Sequence, residues 1–167
     1  MQESLNKDSR SKLRTILVIW GAMVMALIVY FIVAYIIFTT KSMHFMKTPD
    51  FLNEVFIGGI SYKIAALILS FAIFIGAYIY FNSRYKKLVM QIKEENISDV
   101  NDRLNAFSPL YTTLMFTVLA LYEAIAIIGL VIFLTTGDIN TFSTFLIIAL
   151  FGFFTVMPTK NKLIPQI

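Results

Sequence analysis

A single carboxyl, Glu123, interrupts the apolar run Leu119-Ala-Leu-Tyr-Glu-Ala-Ile-Ala-Ile-Ile-Gly-Leu-Val-Ile-Phe133. The 34 residues from Leu104 to Gly137 carry no other charge. Counted from Pro109, Glu123 lies roughly 21 Å along a helix rising about 1.5 Å per residue. That is near the middle of a span crossing a hydrocarbon core of about 30 Å. A carboxyl at that depth is costly, and the default reading is a functional group with a partner. Three uses are open to it: a hydrogen-bonded tack between helices, a proton or ion site, or a pair with a charge on another subunit. No lysine or arginine of this chain falls at that depth, so an ionised Glu123 would lack an internal counter-charge and the protonated form is expected.

The donor expected for Glu123 is the hydroxyl of Ser70, six residues past Ile64 in the second apolar run and the one non-aromatic polar side chain at its middle. Tyr30, Tyr35 and Tyr122 are the alternative donors. Thr113, Thr117, Ala120 and Ala124 follow a 4, 3, 4 spacing and form a helix-packing stripe bordered by Glu123. Small residues so spaced let another helix approach closely. Ala66, Ser70 and Ala77 are a matching stripe on the second run.

Residues 119–133 resemble the carboxylate-bearing helix of rotary ATPase proteolipids, the c-ring subunits. The resemblance rests on Glu123-Ala-Ile-Ala-Ile-Ile-Gly-Leu-Val-Ile132 preceded by Leu119-Ala-Leu. In that family the glutamate binds the translocated proton or sodium ion, and its helix runs outward from the cytoplasmic loop. The resemblance therefore implies a proton- or sodium-binding role for Glu123.

Other chemistry is thinly supplied. The chain has no cysteine, which excludes disulfides and thiolate sites, and one histidine, His44, which reads as a solvated loop residue. No nucleophile–base pair, phosphate loop or metal-ligand spacing occurs. The expectation is no catalytic residue, no metal and no cofactor. The net charge of +4 is spread over segments between apolar runs, which argues against a nucleic-acid partner.

The elements that must position Glu123 follow from composition. Of 167 residues, 58% are apolar and only 14% charged, against about 25% charged in soluble domains. Lipid is the solvent this composition requires. Thr15 to Thr40 is a charge-free run of 26 residues, too long for the apolar region of a signal peptide, and no small-residue cleavage site follows it. It reads as an uncleaved first transmembrane helix. The fold expected is an all-α membrane protein, a bundle of four transmembrane helices at about 14–40, 60–83, 109–135 and 140–157. Thr48-Pro49-Asp50 suggests the start of an external interfacial helix over about 49–57, which Gly58-Gly59 ends. Residues 84–105 form a charged cytoplasmic segment, the second helix running on through its apolar stripe and Ser98 or Asp99 capping a short helix to Ala106. Ser108-Pro109 reads as the cap and first residue of the third span. Trp20, Tyr30, Tyr35, Tyr78, Tyr80 and Tyr111 read as interfacial anchors.

The N-terminus, the 84–105 segment and the C-terminus hold 11 of the 14 lysines and arginines. The positive-inside rule then places both termini in the cytoplasm. The expectation is an integral protein of a bacterial inner membrane, a non-catalytic accessory or assembly subunit whose partners are the lipid bilayer and other membrane subunits or a second copy of itself. The alternative is a proteolipid-like proton or sodium translocation subunit.

Overall fold

The structure is a computed structural model and describes residues 6–40, 45, 47–95, 97 and 99–164, the side chains of 56 and 57 excepted. His44, Asn96 and Ser98 lie outside the described residues. The elements are α1 (Lys7–Thr40), a 3-10 turn (Pro49–Asn53), β1 (Val55–Ile57), β2 (Ile60–Ser61), α2 (Tyr62–Glu94), α3 (Val100–Thr136), α4 (Ile139–Thr155) and α5 (Lys160–Leu163). Helices α1, α2 and α3, of 34, 33 and 37 residues, are long and apolar enough to cross a membrane, with mean hydropathies of 2.8, 2.3 and 2.4 over their best windows. Helix α4 is apolar but has 17 residues.

Helix α3 is the centre of the bundle. It packs on α1, α2 and α4, and α1 and α2 each reach α4 from its two sides. Burial follows that plan. Helix α3 has buried residues along its whole length, from Val100 to Thr136, whereas α1 buries only the seam Ser9, Ile16, Trp20, Leu27 and Ala34. Helix α2 buries Ser70, Ala77, Phe81 and Ile92. The outer faces are apolar: Val18, Ile79 and Phe151 are 63%, 60% and 67% exposed. At about 25 cal/mol per Å², apolar surface of this kind is favourable only against lipid or protein.

Helices α3 and α4 approach closely because α4 and α3 each present a glycine. A Cβ on Gly152 would lie 2.4 Å from Tyr122 Cδ1, and one on Gly129 would lie 2.6 Å from Phe145 Cβ. The turn between the two helices follows local chemistry. Gly137 takes the left-handed conformation at φ 74°, its N–H donating to Phe133 O, and Asp138 caps α4 through Thr141.

Two elements differ from the sequence expectation. Asp99 caps α3, accepting from the N–H groups of Asn101 and Asp102, so α3 begins at Val100 and Pro109 lies inside it. Proline is tolerated in the interior of such helices. One turn on, the Thr112 and Thr113 hydroxyls donate back to Ser108 O and Pro109 O of their own helix. The interfacial helix over 49–57 is replaced by one 3-10 turn and a two-stranded hairpin. Val55-Phe56-Ile57 favours extended backbone. Gly58 and Gly59, at φ 62° and 83°, supply the two positive φ angles of a tight hairpin turn. This connection is held to α3 by the Lys47 N–H donating to Thr135 O and by Phe45 against Phe133.

Both described ends of the chain lie at the other end of the bundle. The Asn6 N–H donates to Asn101 Oδ1, and the Tyr85 hydroxyl donates to Lys162 O.

Candidate functional site around Glu123

Successive residues on a helix point about 100° apart, so Tyr122 and Glu123 serve different neighbours. The Tyr122 ring packs over Gly152 of α4 and tilts against Phe74 of α2, with centroids 5.3 Å apart. Its hydroxyl pairs with Thr155 Oγ1 at 3.2 Å. Glu123 turns toward α1. There the Tyr30 hydroxyl donates to Glu123 Oε1 at 2.6 Å.

The expected Ser70–Glu123 bond is not formed. Ser70 is fully buried on α2, and its hydroxyl has no hydrogen-bond partner among the described residues. Helix α2 meets α3 at this level through Phe74 against Tyr122, while Glu123 faces Tyr30 of α1. Of the alternative donors, Tyr30 is the one used. Tyr122 points to α4, and Tyr35 is 53% exposed.

The stripe beside Glu123 faces outward. Thr113, Thr117 and Ala120 are exposed and Ala124 is half-buried. The two threonine hydroxyls are satisfied on their own helix, donating to Pro109 O and Thr113 O. Among the described residues no helix of this chain covers them. The stripe on α2 is the inward one, with Ser70 and Ala77 buried and Ala66 half-buried.

A second polar cluster was not anticipated. Helix α4 stops before Pro158, leaving its last carbonyls to be satisfied within the bundle. Trp20 Nε1 of α1 donates to Phe153 O at 3.0 Å, and the Tyr111 hydroxyl of α3 donates to Val156 O at 2.9 Å. Lys162 Nζ donates to Thr155 O at 2.7 Å and stands 5.7 Å from the Phe81 ring centroid. Tyr85 of α2 then holds the Lys162 carbonyl. Burial holds the Lys162 amine below the usual lysine range. Trp20, Tyr30 and Tyr111 thus make contacts inside the bundle and are not interfacial anchors, while Tyr35, Tyr78 and Tyr80 are exposed. The readable signal was a short apolar helix ended by proline, which calls for N–H and O–H donors from its neighbours.

Chemically, the site offers one carboxyl with one oxygen engaged by a hydroxyl. Among the described residues no group of three or more histidine, cysteine, aspartate or glutamate side chains could hold a metal ion. Comparison with protein-family models, with curated proteins and with solved structures finds no match to this chain.

Proposed function

We propose that this chain is a small multi-pass integral membrane protein that acts as a non-catalytic accessory or assembly subunit of a larger membrane complex. The observation that carries the reading is the uncovered face of α3. Thr113, Thr117 and Ala120 stand exposed beside a carboxyl that is already tied to α1. Small residues of this spacing are suited to the close approach of one more helix. In this reading α4 is a fourth span. Its 17 residues reach about 26 Å, the lower limit for crossing, and protein donors close its end. The distribution of lysine and arginine supports cytoplasmic termini.

A second reading, proton or sodium carriage by Glu123 in the manner of the proteolipid helix, draws on the half-buried state of that carboxyl. Labelling by a hydrophobic carbodiimide in native membranes, between about pH 5 and pH 9 with and without sodium, separates the two. Labelling that is weak and indifferent to sodium supports the subunit reading. Cysteine cross-linking from Ala120 then yields an adduct with another membrane protein or a second copy. Labelling that falls as pH rises, or that sodium protects against, overturns it in favour of ion carriage.

A further inference from the structure

Helices α1 and α3 do not close on each other near their N-terminal ends. The residues facing across the gap are short, Ser11 and Thr15 on α1 and Ser108 and Thr112 on α3, and they leave a groove of about 700 Å³. Its rim is polar, with Asp8, Lys12 and Asn105, and Lys12 Nζ donates to Asn105 Oδ1 at 2.6 Å. Its deeper part is apolar, with Ile16, Ile19 and Pro109. The groove spans the level where charge ends on both helices. Arg14 is the last charge before the run from Thr15 to Thr40, and Arg103 is the last before Glu123. The Lys12–Asn105 bond sets those two levels side by side. A cavity divided in this way, polar above and apolar below at a membrane surface, matches the headgroup and upper chain of a lipid. Lys12 is the one cation in the lining, beside Asp8, and the first two turns of α1 add Lys7, Arg10 and Arg14 outside it, which favours a net negative occupant.

We propose that this groove binds one anionic glycerophospholipid, its phosphate on Lys12 and its upper acyl chain against Ile16 and Ile19. Asp8 stands on the same rim, where it accepts from hydroxyl donors of the headgroup. A soluble phosphate ester would engage the rim alone and leave the apolar half unused.

The test uses the purified full chain in a mild detergent, titrated with phosphatidylglycerol and with phosphatidylcholine of the same acyl chains, with bound lipid counted by native mass spectrometry. Phosphatidylglycerol is expected to be retained about fivefold better, the effect of roughly one cation at the surface. Lys12→Gln abolishes that preference. Arg14→Gln, an equal charge change at an exposed residue outside the groove, lowers it much less. Thr15→Leu fills the groove without changing charge and lowers retention of both lipids. Equal retention of the two lipids, equal loss in Lys12→Gln and Arg14→Gln, or displacement by soluble glycerol 1-phosphate would each overturn the proposal. Lys12 is exposed, so its substitution leaves the fold intact even where Thr15→Leu does not.

Discussion

The Tyr30 hydroxyl and the Glu123 carboxyl, 93 residues apart in sequence, meet at 2.6 Å and join α1 to α3 about two-thirds of the way along both helices. Leu27 and Ala34, the seam residues of α1 on either side of Tyr30, are apolar, so this bond is the polar fixture of that stretch. Tyr30→Phe and Glu123→Leu are each expected to lower stability by about 0.6–1.7 kcal/mol, the range for polar pairs between membrane helices. Because both remove the same interaction, the double variant should lose no more than the larger single loss. Reversible unfolding in mixed detergent micelles measures all three. Additive losses would show that the pair is not coupled.

Glycines at the α3–α4 contact divide sharply from Gly21 and Gly76. Gly152→Ala drives a methyl into the Tyr122 ring, which Gly152, Phe74 and Thr155 already confine. A loss of about 1–3 kcal/mol is expected from such overpacking. Gly21→Ala and Gly76→Ala add a methyl to open space and should change stability by less than about 0.5 kcal/mol. The same unfolding measurement ranks the three, and an innocuous Gly152→Ala would contradict the packing described.

The end of α4 makes a separate prediction. Trp20→Phe leaves Phe153 O without its side-chain donor, and Tyr111→Phe does the same to Val156 O. Each should destabilise by about 1–3 kcal/mol, the penalty for a buried polar group left unpaired. Amide exchange of residues 153–157 should rise locally in both variants. Tyr35→Phe, at an exposed hydroxyl, serves as the neutral control.

Burial pushes the Asp138 carboxyl up, but hydrogen bonds from the Thr141 hydroxyl and N–H, with Lys63 nearby, hold it below the usual carboxylate range. A carboxyl lowered on folding contributes stability that is complete above its unfolded pKa of about 3.9 and is lost as pH falls through the folded value. Thermal stability of the wild type should therefore fall in acid relative to Asp138→Asn, whose cap does not titrate. Asp138→Ala should lose about 1 kcal/mol at neutral pH. A pH profile shared by wild type and Asp138→Asn would remove this residue as the cause.

Helix positions were legible in the sequence because charge-free runs of this length have one stable form in lipid. The turn at Gly137-Asp138 was equally plain, since each residue has a defined role there. Rotation was not legible. Helix α3 is apolar on every side, so periodicity cannot say which face meets which neighbour, and Ser70 and Tyr30 were equal in depth as donors for Glu123. Pro109 misled for a related reason. A serine–proline pair reads locally as a helix start, yet Asp99 caps a longer helix that runs through Pro109. The hairpin at 55–61 was obscured because four apolar residues over 51–56 fit a helical spacing as readily as two strands and a glycine turn.

The narrow seam of α1 bears on how the chain is made. Its contacts are with α3 and α4, neither of which exists when α1 leaves the ribosome. Helix α2 emerges next, but among the described residues it packs mainly on α3 and α4. Until α3 arrives, α1 lacks its main packing partners, and it holds its apolar faces and a tyrosine hydroxyl not yet matched to Glu123. Chain completion through α3 is thus the event that recruits α1, and a ribosome stalled before Glu123 would leave the first helix free to exchange with lipid.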